Sequence, residues 1–105
     1  MAKMRDVRTA TMFIRQPTET EIKASIKLFL RLKGWFVYHN IAGIGSYGGL
    51  PDITAIKEGR IIQIEAKRLK GIQSDLQKDF EKQWVKHGGE YLLVRSVQDL
   101  IDKGL

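Results

Sequence analysis

The sequence contains no cysteine. This absence excludes a disulfide-stapled scaffold and a zinc site built from thiolates. No stretch approaches the roughly 20 consecutive apolar residues that a membrane-spanning helix needs. The N-terminal residues are basic and contain no long apolar run, so they do not resemble a secretory signal peptide. We therefore expect a cytoplasmic, intracellular protein that does not associate with membranes.

Acidic residues are scarce relative to basic ones. Twelve Asp and Glu residues stand against 18 Lys and Arg residues, which gives a formal net charge of +6. This balance favours a polyanionic partner, most simply nucleic acid, although a solubilising surface charge would produce it too. The 105 residues, of which 43% are hydrophobic, are enough for one domain with one core.

We divide the chain into a basic N-terminal arm, residues 1–16, and a single domain, residues 17–105. The arm either embraces DNA or forms a free tail. Its basic residues are Lys3, Arg5, Arg8 and Arg15.

Capping signals and periodicity predict three helices in the domain. Thr18 with Glu21 forms a capping-box pattern at the start of the first helix, which Gly34 ends. Leu28 and Leu32 are expected to widen the apolar face of this helix. Ser74 caps a second helix, and Ser96 caps a short third one whose Val97, Leu100 and Ile101 are expected to point inward.

Four β-rich segments lie between these helices. The predicted strands are Trp35–His39, Asp52–Lys57, Arg60–Lys67 and Tyr91–Arg95. The resulting order, α-β-β-β-α-β-α, predicts an α/β fold in which a mixed four-stranded sheet is flanked by helices.

The second and third strands bring charged residues together. Glu58-Gly59 is a favoured two-residue hairpin turn, so residues whose numbers sum to about 117 should pair. Asp52 then lies opposite Glu65. Lys67 follows Glu65 by two residues and projects from the same face. Two carboxylates and one ammonium therefore converge at one end of the sheet.

Such a cluster has a chemical use and a purely structural alternative. Carboxylates are the ligands that Mg²⁺ prefers, and a neighbouring lysine can orient water, stabilise developing charge or act as a base. A cross-strand salt bridge at the end of a hairpin would present the same residues. The spacing alone does not choose between them.

A wider set of motifs resembles a nuclease family. Pro51-Asp52, followed after twelve residues by Glu65-Ala66-Lys67, is the signature of the PD-(D/E)xK superfamily. Around it stand the helix end Leu-Arg-Leu-Lys-Gly-Trp, then Gly49-Leu50, Gly59-Arg60 and Ser74-Asp75-Leu76-Gln77. This run resembles the VRR-NUC nucleases in their compact stand-alone form, common in phages and prophages, over residues 18–101. The resemblance implies a restriction-endonuclease-like core and a metal-dependent endonuclease that hydrolyses DNA.

The resemblance also implies roles for individual residues. Asp52, Glu65 and the backbone carbonyl of Ala66 would hold Mg²⁺ or Mn²⁺, and Lys67 would be the catalytic lysine. Gln77 would reach the site from the second helix. A glutamate of the first helix would join them, and we favour Glu19 because Glu21 has a capping role. Ala66 departs from the family, in which this position is often Val, but only its carbonyl is needed.

Other residues are expected to contact DNA around the site. Arg68 and Lys70 form a basic edge suited to backbone phosphates, although a solvated loop would look the same. Gly45, Ser46 and Tyr47 belong to a glycine-rich loop that leads into the site, where Tyr47 would stack on a base. His39 and Asn40 end the first strand near the site. The alternative is an ordinary surface loop.

The expected assembly and substrate follow from the small size of the domain. A symmetric homodimer would present two active sites at a fixed separation, which suits cutting of two strands. Stand-alone VRR-NUC members resemble Holliday-junction resolvases in layout, so branched DNA is the first expected substrate. The alternatives are a nucleic-acid-binding module on an inactive nuclease fold, and a nuclease acting on linear duplex DNA or RNA.

Overall fold

The computed structural model describes residues 15–105. Lys3, Arg5 and Arg8 of the predicted arm lie outside the described residues. Within them the helices are α1 (Glu19–Leu32), α2 (Asp75–Lys86) and α3 (Val97–Asp102). The strands are β1 (Phe36–His39), β2 (Ile53–Lys57), β3 (Arg60–Ala66) and β4 (Glu90–Val94). The element order matches the prediction, and each strand boundary lies within one residue of it.

The four strands form one mixed sheet in the order β1-β2-β3-β4. The first three pair antiparallel, and β3 pairs parallel with β4. Glu58 and Gly59 both have positive φ, 51° and 83°, which is the mirror-image turn that matches strand twist. Ile53 pairs with Ile64, so the predicted sum of 117 is confirmed.

Helix α1 begins and ends as its sequence predicts. Thr18 and Glu21 form a complete capping box, and Gly34, at φ 91°, follows the helix where the chain turns. Ile22, Ile26 and Leu30 are buried against the sheet. This repeating stripe holds the helix on the face of the sheet that carries the core.

Three expectations about the helices are wrong. Leu28 and Leu32 are 60% and 79% exposed, because Leu28 lies about 200° around the helix from buried Ile26. Ile101 is 48% exposed, since its neighbour Leu100 takes the inward position of α3. Ser96 is the N-cap residue of α3, as predicted, but its side chain makes no capping hydrogen bond.

The two faces of the sheet are buried in different ways. Helices α1 and α3 cover the apolar face, where Ile62, Ile64 and Ala66 are fully buried. On the other face α2 packs beside β4. There Phe80 stacks on Trp84 at 5.8 Å between ring centroids and lies 6.4 Å from the Tyr91 ring. Glu65 lies on this second face and is nevertheless buried.

The carboxyl ends of β1, β3 and β4 meet the start of β2 at one end of the sheet. Hydrogen bonds continue past the strands there: Asn40 N donates to Asp52 O at 2.8 Å, and Lys67 N donates to Val94 O at 3.0 Å. Asp52 and Lys67 are therefore held in register just outside the strands. None of the helices within residues 15–105 is long and apolar enough to cross a membrane.

Candidate active site

The carboxylate of Asp52 is fixed beside the end of β3. Its Oδ2 accepts a hydrogen bond from Ala66 N at 2.8 Å, which ties the residue before β2 to the backbone that follows Glu65. The register of β2 and β3 pairs Ile53 with Ile64, and continued by one residue it sets Asp52 across from Glu65. The two acids therefore lie side by side with little freedom to separate.

Glu65 is less exposed to solvent than Asp52. Its side chain is 1% exposed, and its buried Oε2 has no hydrogen-bond partner among the described residues. Burial raises the pKa of Glu65 to about 8, the hydrogen bond that protonated Glu65 shares with Asp52 and the Asp52 charge add to the rise, and the charges of Lys67 and Lys23 oppose it. When both acids are ionised, the buried Oε2 has no hydrogen-bond partner within residues 15–105, which is costly, and a hard cation is the group that suits it.

Lys23 of α1 is a site residue that the sequence analysis missed. Its Nζ lies 3.1 Å from Asp52 Oδ1, and its side chain is 25% exposed. The protein thus places one of its own cations against the carboxylate pair, which is further evidence that the site suits positive charge. Its position one helical turn after Glu19, on the same side of α1, is the sequence feature from which this role could have been predicted.

The structure assigns Glu21 its capping role. Glu21 Oε1 accepts from Thr18 N at 3.2 Å, and Arg15 lies 2.7 Å from the same oxygen. The bond from Arg15 is the main cause that lowers the pKa of Glu21 to about 2. Glu19 is half-buried one turn before Lys23. Within residues 15–105 no three His, Asp or Glu side chains converge to hold a metal, so Glu19 is not assembled with Asp52 and Glu65.

Lys67 lies at the site, whereas the Gln77 side chain is engaged elsewhere. Lys67 is half-buried, and its charge acts on Glu65. Gln77 Oε1 accepts from Ser74 N at 2.8 Å, and Gln77 N donates to Ser74 Oγ at 3.2 Å. This is a capping box of the Ser-x-x-Gln kind, which explains the glutamine structurally. Its reach into the site stays a prediction.

Asn40 positions the residue that precedes Asp52. Its Nδ2 donates to Pro51 O at 3.0 Å and to Gln63 Oε1 at 3.1 Å. Thr54 Oγ1 lies 2.8 Å from Asn40 Oδ1 and 3.1 Å from Gln63 Oε1. Thr54 and Gln63 were not predicted, although both fall on the Asp52 face by the two-residue strand period. His39 is exposed at the end of β1, paired with Ile53.

The glycine-rich loop is structured. Ser46 Oγ accepts from Gly43 N at 2.9 Å and donates to Gly43 O at 2.8 Å, which closes a turn around Gly45 at φ 86°. The Tyr47 ring meets the Phe80 ring edge-on at 5.9 Å. Tyr47 remains 65% exposed, so its predicted contact with a base is compatible with this packing.

Arg95, which was not predicted from the sequence either, holds the basic edge after β3. Arg95 Nη1 donates to the backbone carbonyls of Arg68 and Gly71, the latter at 2.7 Å. This clamp fixes the turn that carries the exposed side chains of Arg68 and Lys70. Both cations therefore stand beside Lys67 at the end of the sheet that holds the carboxylates.

Comparison with known proteins identifies the fold. No protein-family model and no curated protein matches this sequence. A solved structure described as a VRR_NUC domain aligns over 80% of this chain and 90% of its own, with a TM-score of 0.71 and 20% sequence identity. The chain has the VRR_NUC fold. The predicted fold class is thereby confirmed, and the carboxylates lie at the sheet end of a VRR_NUC core.

The raised pKa of Glu65 predicts how stability of the metal-free protein depends on pH. Between the ordinary value of 4.5 and about 8, native Glu65 keeps a proton that the unfolded chain has lost. The native state then binds more protons, so this group makes the free energy of unfolding fall as pH rises through that window. Urea unfolding in EDTA should show this decline in the wild type and less of it in Glu65→Gln. Equal pH dependence in the two proteins would contradict the assignment.

Proposed function

We propose that this protein is a metal-dependent endonuclease of the VRR-NUC family that hydrolyses phosphodiester bonds in DNA. The observation that carries the proposal is the Asp52–Glu65 pair at the sheet end of a VRR_NUC fold, with Glu65 Oε2 buried and unpartnered among the described residues. An acid pair whose Glu65 is buried, with a lysine beside it, is poorly explained as a surface salt bridge, because such bridges are exposed and contribute little.

The oxygen donors at this site fit Mg²⁺ or Mn²⁺. Asp52, Glu65 and the carbonyl of Ala66 would hold the ion, and all three are oxygen ligands of the kind that hard cations take. Once bound, the ion supplies Lewis-acid polarisation of the phosphodiester and a lower pKa for a coordinated water. The hydrogen bond from Ala66 N keeps the Asp52 carboxylate oriented toward Glu65.

The remaining residues act on the phosphate and on the acids. Lys67 would orient the attacking water or stabilise charge that develops on the phosphate. Lys23 balances the charge of Asp52 before an ion arrives. Asn40 fixes Pro51 and hence the direction in which Asp52 points. Glu19 and Gln77 are proposed to join the site when substrate is bound.

The substrate and the assembly belong to the same proposal. The exposed Arg68 and Lys70 would contact backbone phosphates beside Lys67, and the net charge of +6 favours a polyanion. A homodimer would bring two such sites to one DNA molecule. Branched DNA, with duplex arms that two symmetric sites can engage together, is the proposed preferred substrate.

End-labelled substrates test this function directly. Linear duplex, single strand, flap, four-way junction and RNA duplex are each incubated with Mg²⁺, Mn²⁺ or EDTA. We expect cleavage with either metal, none in EDTA, and the fastest cleavage on the four-way junction. Binding without cleavage under all conditions would instead identify a nucleic-acid-binding module on an inactive fold. Preferential cutting of RNA or linear duplex would overturn the proposed substrate.

A further inference from the structure

Exposed apolar side chains lie at the end of the sheet that carries the proposed site. They lie on two segments at the same end of the sheet, the loop of residues 40–49 and the segment from Lys67 to the first turn of α2. The members are Ile41, Ile44, Tyr47, Leu69, Ile72 and Leu76. Lys67, Arg68 and Lys70 lie within the second segment. Exposed apolar groups with a polar border commonly mark a binding surface.

Ile44 is the most exposed of these side chains and stands at the tip of a closed turn. Its side chain is fully exposed. The turn is closed by the paired hydrogen bonds between Ser46 Oγ and the Gly43 backbone, and Ser46 N also donates to Gly43 O at 3.1 Å. The backbone therefore presents Ile44 to solvent and does not fold it onto the core.

Both ends of the loop that carries Ile44 are anchored. At one end Asn40 is bonded to the backbone of Pro51 and Asp52. At the other, Gly49 touches the backbone of Leu76 so closely that a Cβ would overlap it. Four residues of extended chain span at most about 14 Å, so Ile44 stays within that distance of Asn40. The tip is thus tethered to a residue that bonds to the backbone of Asp52.

We infer that Ile44 is a wedge that enters an opened base step beside the scissile phosphate. This inference rests on the proposed function and narrows its substrate to DNA with an unstacked or unpaired step. Phosphates are drawn to the basic edge formed by Arg68 and Lys70, which brings the bases toward the apolar tip. Apolar side chains inserted between bases unstack them at a cost of a few kcal/mol per step. The cost is smallest where pairing is already broken.

A second copy of the chain explains the exposed tip less well than DNA does. A stable interface needs about 800 Å² from each partner. The tip itself offers one aliphatic side chain flanked by Gly43, Gly45 and Ser46, so a contact made at the tip alone would bury little area. The same narrow shape suits insertion between two bases.

The test uses a four-way junction with 2-aminopurine at the branch and a protein carrying Lys67→Ala, which keeps the DNA intact. Binding should raise 2-aminopurine fluorescence, and adding Ile44→Ser should abolish the rise. Leu32→Ser is the matched control, since Leu32 is 79% exposed at the far end of α1. In the otherwise wild-type protein, Ile44→Ser should slow junction cleavage roughly tenfold, equivalent to about 1.4 kcal/mol, and leave linear duplex cleavage unchanged.

Three results would overturn the wedge: no fluorescence rise on binding, a rise that survives Ile44→Ser, or a change of oligomeric state in Ile44→Ser by light scattering. The last would show that a second copy contacts the tip. None of these requires cleavage. If the wild-type protein does not cleave DNA at all, the proposed function is refuted instead. Failure of the wedge and failure of the proposed function are therefore distinguishable.

Discussion

Lys67→Ala is expected to lower the cleavage rate by about 10²–10³, the loss typical of removing one group that stabilises transition-state charge. The fold should persist, because no hydrogen bond or ion pair of the Lys67 side chain occurs among the described residues, and its backbone bond to Val94 is unaffected. Single-turnover cleavage of the preferred substrate at saturating protein measures the effect on the chemical step.

Lys82→Ala provides the control for Lys67→Ala. Lys82 is exposed on α2, away from the carboxylates, and carries the same charge. Its substitution should leave the rate within about twofold, since a single distant surface charge is largely screened by salt. Equal loss in both variants would mean that Lys67 contributes only to overall attraction of DNA.

Gly49→Ala is expected to destabilise the protein by about 2–5 kcal/mol. At φ 81° an L-residue costs about 1–2 kcal/mol, and overpacking adds about 1–3 kcal/mol. The overpacking arises because the new Cβ would overlap the backbone carbonyl of Leu76 at the start of α2. This contact docks the loop before Asp52 onto α2, so cleavage should fall as well.

Gly45→Ala separates the cost of the left-handed backbone from the cost of overpacking. Gly45 has a similar φ of 86°, but a Cβ there meets no atom within 4 Å. It should therefore lose only the conformational part, about 1–2 kcal/mol. Urea unfolding of both variants measures the difference. Equal destabilisation would show that the loop moves away from Leu76 to accommodate the new Cβ. Its packing against α2 would then not fix the geometry of the site.

The pairing of Asp52 with Glu65 could be predicted because local rules determine it. Glu58-Gly59 selects one turn type, the turn sets the register, and the two-residue period of a strand sets the face. The same period puts Ile62, Ile64 and Ala66 on one face of β3, and that face is buried in the core. These inferences need no knowledge of how helices pack.

Contacts between distant elements could not be predicted in this way. Lys23 reaches Asp52 only because α1 crosses the sheet at a particular angle, and Asn40 meets Gln63 across 23 positions of sequence. Gln77 illustrates a different difficulty, since one residue type satisfies both a capping box and a family motif. Its capping bond is visible in the structure, and a second role requires bound substrate to observe.

The most direct test of the account is a calorimetric titration of Mn²⁺ into the wild type and into Asp52→Asn. Asparagine keeps the size of the side chain and an oxygen that can accept from Ala66 N, but it removes the charge that a cation needs. We expect one site per chain in the wild type and its loss in Asp52→Asn, with both proteins folded by circular dichroism. Unchanged Mn²⁺ binding in Asp52→Asn would contradict the claim that Asp52 and Glu65 form the metal site.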